Sequence, residues 1–235
     1  MERGAVIPFF SRIALRSNAE VIRKRVYFMT QEMMTLGYVS IAVSVLLLLA
    51  IAAFTAGKER FTAKKLVMIA MLTAVYVLLC LVGTIRLWWM NVSVATLPLI
   101  LAAMLYGPAG GTFVGLLGSF LEQLLNYGLM ATTPLWLVPN TVRGLLLGIY
   151  FKKKGDRLSR VQLIAALSVA ALVVTALNTV VMYLDSIIQG YYSYAYVFGG
   201  AVTRVIAGIV TALVMSFVAP PVVKLLDKTM ARVKE

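Results

Sequence analysis

The sequence predicts an all-α membrane protein: a six-helix transmembrane bundle with an additional N-terminal apolar helix. Three observations carry this. Of 235 residues, 61% are hydrophobic and 13% charged, with a mean hydropathy of +0.92; soluble domains run near half apolar and a quarter charged. The apolar residues fall in runs at 36–56, 66–85, 91–106, 109–125, 134–151, 161–184 and 195–223, against the ~20 residues a spanning helix needs. The Lys and Arg residues gather in some of the short connecting segments and are missing from others, the asymmetry that orients helices across a bilayer. Alternating strand patterns of the barrel type are absent.

The first run, 36–56, follows a segment holding Arg3, Arg12, Arg16, Arg23, Lys24 and Arg25. If it spans, these cations face outward, against the positive-inside rule. Three readings stay open. The run spans against the rule, it lies along or partly enters the inner face, or it is a signal anchor or an overlong start, since Met29, Met33 and Met34 could each begin a shorter chain. A cleaved signal peptide fits poorly, because the leader before the run is too long. Residues 1–60 are therefore a basic segment plus an extra apolar helix, ahead of a six-helix membrane domain at 61–235.

Run 66–85 follows Lys58, Arg60, Lys64 and Lys65, a cytoplasmic signature. Runs 91–106 and 109–125 are short, and Tyr106, Gly107, Pro108, Ala109, Gly110 and Gly111 between them read as a tight turn. Segment 126–133 has no Lys or Arg and is external. Run 134–151 ends in Lys152, Lys153, Lys154, Arg157 and Arg160, which are cytoplasmic. Run 161–184 leads to segment 185–196, again without Lys or Arg. Run 195–223, long enough to tilt or to begin outside the hydrocarbon, ends in a cytoplasmic tail with Lys224, Lys228, Arg232 and Lys234. The domain thus has both ends inside.

The formal charge of +13, from 22 Lys+Arg and 9 Asp+Glu, would suggest nucleic acid on a soluble chain. Here the cations sit between apolar runs and suit anionic head groups. There is no histidine and one cysteine. That removes the commonest general base and metal ligand and makes an internal disulfide impossible. No metal or cofactor is implied, and Cys80, inside an apolar run, reads as a small buried hydrophobe.

Ionisable groups inside membrane helices are functional candidates by default. Orientation gives each one a depth, and they gather in the outer halves of their helices: Glu122 and Asn126, then Trp136, Asn140 and Arg143, then Asn178 with Asp185 at the mouth, and Arg204. Each set shares a stripe at i, i+3, i+4 or i+7, with Met182 between Asn178 and Asp185 and a Tyr196, Gly200, Arg204 stripe in the last run. The external segments add Trp88, Trp89, Asn91 and a tyrosine cluster including Tyr192 and Tyr196. The composite is a cavity open to the outside. Arginine clamps a carboxylate, and Trp and Tyr stack on rings. Plainer roles stand beside these: a bundle-holding pair of Glu122 with Arg143 or Arg204, interhelical amide bonds for Asn140 and Asn178, and an interfacial belt for the aromatics.

Residues 70–74 read AMLTA, placing Ala70 and Ala74 at small-xxx-small spacing. Gly111, Gly115 and Gly118 give another smooth face, suited to packing within the bundle. With NVSVATLPLILAAMLYGPAGGTFVGLLG at 91–118 and TPLWLVPNTVRGLLLGIY at 133–150, residues 64–228 resemble the substrate-binding S components of energy-coupling-factor (ECF) transporters, which are vitamin-uptake ABC systems. The resemblance implies a subunit of a bacterial or archaeal cytoplasmic membrane that captures a small ligand outside. It further implies docking through Ala70 and Ala74 on a transmembrane coupling protein that works with two ATPase subunits. The ligand site would lie near the outer face, under the loops joining helices 1–2, 3–4 and 5–6. The extra N-terminal run departs from the six-helix pattern.

The chain has no GxxxxGK[ST] and no Gly-rich loop on a strand, so an enzyme is not expected, and any ATP hydrolysis belongs to separate subunits. A secondary transporter would show internal repeats and coupling-ion acids near the midplane; no repeat is evident, and Glu122 is the one intramembrane acid. A retinal protein would need a mid-span lysine in the last helix, and an intramembrane hydrolase a histidine or facing acids. A scaffold subunit remains the alternative of another class. The two arginines favour a carboxylate-bearing ligand, folate first, then pantothenate, with riboflavin third because it needs no cationic clamp.

Overall fold

The computed structural model describes residues 7–57, 61–82, 84–87, 90–155 and 158–232, with side chains described for 31–32, 34–57, 61–82, 94–155, 158–226 and 228. The described chain is nearly all helix: α1 (Ile7–Gly57), α2 (Ala63–Val82), α3 (Thr96–Tyr127), α4 (Thr133–Lys154), α5 (Arg160–Ile188), α6 (Tyr194–Phe198) and α7 (Ala201–Arg232). Five stretches are long and apolar enough to cross a membrane: Met34–Gly57, Ala63–Val82, Thr96–Tyr127, Arg160–Ile188 and Tyr194–Leu226. Leu46, Leu49, Val67, Leu78, Val169, Leu172 and Leu225 are exposed on their helices, as lipid-facing side chains must be. The chain is a multi-pass helical membrane protein.

Helix α3 is two arms. Gly107 has φ 62° and ψ −148°, a conformation that costs a Cβ-bearing residue and not glycine. Pro108 opens the second arm, where a missing N–H is harmless. A Cβ added at Gly111 would come within 3.0 Å of the Ala103 Cβ; in an unbroken helix these residues would be ~12 Å apart along the axis. The chain therefore folds back at Gly107, the expected turn. Counting the arms separately, six helices (α2, both arms of α3, α4, α5, α7) surround one core containing Leu72, Tyr76, Leu99, Val114, Leu147, Leu167 and Met215.

Glycines set the closest approach. A Cβ on Gly144 would lie 2.0 Å from the Gly111 carbonyl oxygen, and one on Gly115 2.4 Å from that of Asn140. Gly118 accommodates the Tyr76 ring, and Gly148 faces Gly107 and Pro108. Removing side chains lets helices dock backbone to backbone, the main route to dispersion contact where water drives nothing. Helix α5 starts just after the basic loop with a reciprocal cap: the Ser159 hydroxyl accepts from the Gln162 N–H, and the Gln162 side chain accepts from the Ser159 N–H.

The helix holding the first apolar run begins at Ile7, well before 36. Its buried stripe, Gly37, Ser44, Leu48, Ile51 and Thr55, recurs every three or four residues, leaving out one turn at residue 40 or 41, and lies on the bundle, with Leu48 packed among Leu137 and Val138 of α4. The Ser44 and Thr55 hydroxyls donate to the Ser40 and Ile51 carbonyls of α1 itself, so neither is left unsatisfied in an apolar setting.

Three sequence expectations need correction. Segment 84–93 contains an antiparallel strand pair, β1 (Thr84–Leu87) with β2 (Met90–Ser93), in register Thr84↔Ser93 to Leu87↔Met90. Run 91–106 is therefore helical only from Thr96, an arm of ~16 Å. Polar and apolar residues alternate over Thr84, Ile85, Arg86 and Leu87 and over Asn91, Val92, Ser93 and Val94, a period of two that total hydropathy hides. Run 195–223 is likewise not continuous, because Gly199 and Gly200 separate α6 from α7. The Arg204 N–H still bonds the Gly200 carbonyl at 3.0 Å, so these two residues stay one turn apart, with Tyr196 in the preceding short helix.

A candidate ligand cavity

Between α2, α3, α4, α5 and α7 lies a cavity of about 320 Å³, within the range of small-molecule sites. Its floor is apolar, with Ile100, Leu147, Leu167 and Met215, and its polar groups are Tyr76, Thr96, Glu122, Asn140, Arg143, Thr175, Asn178, Arg204 and Thr211. The helical period explains the convergence. Asn140, Arg143 and Leu147 form one face of α4; Leu167, Val174 and Asn178 one face of α5; Arg204, Gly208, Thr211 and Met215 one face of α7.

A relay of three side chains crosses the outer part of the cavity. The Asn140 amide donates to the Tyr76 hydroxyl at 3.1 Å, and that hydroxyl donates to Glu122 Oε2 at 3.2 Å. Three helices are joined, and the carboxylate has a donor. Arg143, one turn from Asn140, lies within electrostatic range of Glu122 and Tyr76. Among the described residues its guanidinium makes no hydrogen bond and neither arginine makes an ion pair. A bundle-holding Glu–Arg pair is therefore not what these residues form; Tyr76 takes the carboxylate instead.

Arg204 is tied into the structure. Its Nη1 donates to Met182 Sδ, and its Nη2 donates to the Val197 carbonyl at 2.6 Å and to Thr179 Oγ1 at 3.5 Å. Its Nε is buried without a partner among the described residues, as is Thr96 Oγ1. Two donors in the lining are thus unused, and buried donors without acceptors are costly.

Of the residues singled out from sequence, Glu122, Asn140, Arg143, Asn178 and Arg204 line this one cavity. Trp136 is half-buried on α4 outside the lining, and Asn126 is exposed at the end of α3. Tyr192 and Tyr196 are exposed beyond α5; their rings meet Tyr183 and Tyr191 edge to face at 5.5 and 5.4 Å. Trp88, Trp89 and the Asn91 side chain fall outside the described residues. Asp185 is buried, taking hydrogen bonds from the Tyr191 hydroxyl and the Gln189 amide, which also reaches Thr132. It fastens the loops after α3 and α5 to one another. Partial desolvation, then the hydrogen bond and charge of Asp185, push the Tyr191 phenol above its usual range. Ala70 and Ala74 are exposed on α2 beside Val67, Met71 and Leu78, away from the cavity.

Sequence reasoning missed Tyr76, Thr96, Thr175 and Thr211; Cys80 packs against the core as its apolar setting suggests and also lines the cavity. Tyr76 carried a signal: it is the single tyrosine in α2, mid-helix among apolar residues, where a buried hydroxyl demands a partner.

The sequence model of the family described as "ECF-type riboflavin transporter, S component" matches residues 60–228, more than two thirds of the chain. Neither a curated protein nor a solved structure matches.

Proposed function

The chain belongs to the family of ECF-type riboflavin transporter S components, and from that premise we propose that it captures a flavin-like vitamin, riboflavin first, from outside the cell. The observation that carries this is the cavity itself. Its apolar floor suits a flat ring system, the donors of Arg143, Arg204 and Thr96 suit ring carbonyl oxygens, and the relay of Asn140, Tyr76 and Glu122 suits ring N–H or hydroxyl groups. Two arginines against one carboxylate support a second reading, a carboxylate-bearing vitamin such as folate or pantothenate.

In this reading residues 61–235 are the binding domain, with six spans and the C-terminus inside, and residues 1–60 are an added segment. The exposed Ala70 and Ala74 face of α2 docks on the transmembrane coupling protein, whose two ATPase partners supply the energy. Wide, flat helix faces allow two membrane helices to meet closely.

Two measurements test it. Protein purified from cells is denatured, and the released small molecule is identified by mass spectrometry; a flavin is expected, a folate or pantothenate would select the second reading, and no ligand under any growth condition would favour a scaffold. Ala70→Arg is expected to leave ligand affinity within about twofold and abolish uptake. Unimpaired uptake would remove the docking role.

A further inference from the structure

The end of the bundle that carries the basic clusters holds a second cavity, of about 370 Å³. Three elements line it: α2 with Lys65, the fold-back of α3 with Met104, Tyr106 and Gly107, and the end of α4 with Phe151 and Lys152. None of these residues lines the cavity described above.

Its chemistry is divided. Met104 and Phe151 give it an apolar wall, and Leu66 and Val67, the next residues of α2, are exposed as lipid-facing side chains. The other part is cationic. Lys65 is half-buried, and its Nζ lies 5.3 Å from the centre of the Phe61 ring and 5.9 Å from that of Tyr106, so two aromatic faces hold the ammonium at the wall. Phe61 is itself set edge to face on Phe113 at 5.4 Å. Segments 57–65 and 152–160 together hold nine Lys and Arg against two acids, Glu59 and Asp156, so pairing with those acids leaves a large positive excess.

The positive-inside rule accounts for the sign of this end, but not for a lysine drawn between two rings into a cavity. Helix stability does not account for it either. Lys64 and Lys65 occupy the first turn of α2, with no acid there, where the macrodipole disfavours cations. The second arm of α3 begins at Pro108, beside the Gly107 wall, and brings another positive helix end. A bound anion offsets all of these costs at once.

We propose that this cavity binds a phosphate group carried on an apolar body, the head of an anionic phospholipid in the leaflet at that end. The phosphate sits with Lys65 and Lys152, and the first methylenes of the acyl chains lie on Met104 and Phe151. A zwitterionic lipid brings its own ammonium among these cations and is disfavoured. The apolar wall selects the lipid over a soluble phosphate compound. The proposal is independent of what the other cavity takes up.

Native mass spectrometry of the full-length protein in detergent micelles tests it, with phosphatidylglycerol and phosphatidylcholine as probes. Phosphatidylglycerol is expected to bind about tenfold more tightly. Lys65→Gln with Lys152→Gln should weaken it about tenfold, whereas Lys153→Gln with Lys154→Gln, which removes the same charge outside the lining, should weaken it about twofold or less. Lys152→Gln alone, at an exposed position, serves if the first double variant does not fold, with a loss of about threefold. Equal binding of the two lipids, or equal weakening in the two double variants, would overturn the site. Inorganic phosphate decides the source. Phosphatidylglycerol that stays bound in millimolar phosphate supports the lipid; its displacement would overturn the lipid and assign the cavity to a soluble phosphate compound.

Discussion

At the scale of single residues, the cavity separates charges that are bonded into the protein from one that is not. Glu122 is hydrogen-bonded through Tyr76 to Asn140, and Arg204 is bonded to α5 and α6. Arg143 has no hydrogen bond or ion pair among the described residues, although holding an unpaired guanidinium half-buried costs free energy. A protein built only for stability would not keep it, and binding sites commonly carry such a burden. Arg143→Met, similar in length and apolar, is therefore expected to raise the melting temperature by a few degrees and weaken ligand binding at least tenfold. A lowered melting temperature with unchanged affinity would make Arg143 structural. The sequence made this much of the site legible because ionisable and amide groups are rare in apolar runs, so Glu122, Asn140, Arg143, Asn178 and Arg204 stood out. It did not expose Tyr76 or the cavity threonines, which are ordinary in membrane helices. Asn126, Trp136 and Tyr196 stood out by polarity or aromaticity at the outer level, and the structure places them outside the cavity lining.

At the scale of elements, hydropathy found the helices, and the physics of close approach decided how they pair. The turn at Gly107 and the smooth face of Gly111, Gly115 and Gly118 were readable because only glycine serves either purpose. Their partners, Gly144 and Gly148, emerged only once two helices were laid together. The strand pair over 84–93 was hidden because each strand is four residues long and flanked by apolar runs. The helix seam makes a sharp prediction. A methyl at Gly144 meets the Gly111 backbone at 2.0 Å, and backbone, unlike a side-chain tip, cannot step aside, so α3 and α4 must separate. Gly144→Ala is expected to destabilise by about 1–3 kcal/mol, the range for overpacking, seen as a lower melting temperature. Gly200→Ala, where an added Cβ meets nothing within 4 Å, should be close to neutral. Equal effects from the two would show that the α3–α4 contact is too loose to exclude a methyl group.

At the scale of the whole molecule, two rules meet at α1 and give opposite answers. Gly37 packs against Ile188, and Leu48 against Leu137 and Val138. The start of the apolar part of α1 is thus level with the loops after α3 and α5, and its end is level with the start of α2. That second end carries Lys64, Lys65, Lys152, Lys153, Lys154, Arg160, Lys224 and Lys228, a cytoplasmic signature. With that end inside, residues 7–33 would extend on the outer side, although Arg12, Arg16, Arg23, Lys24 and Arg25 would draw them inward. The contest is decided by what each outcome breaks. Bringing the N-terminus inside takes Gly37 from Ile188 and leaves the stripe of Leu48, Ile51 and Thr55 without its groove. Turning the bundle over instead would put the basic clusters flanking α2, α4, α5 and α7 outside. One basic N-terminal segment against the rule is the smaller violation. A tag at the N-terminus is therefore expected to be cut by protease added to intact spheroplasts, and a C-terminal tag to survive until the membrane is opened. Gly37→Trp, too large for the 2.9 Å gap to Ile188, should loosen α1 from the bundle and, with its basic segment unopposed, shift the N-terminal tag toward protection. Protection of the N-terminal tag in the unaltered protein would mean that α1 does not cross the membrane, and the packing of α1 on α4 would have to be abandoned with it.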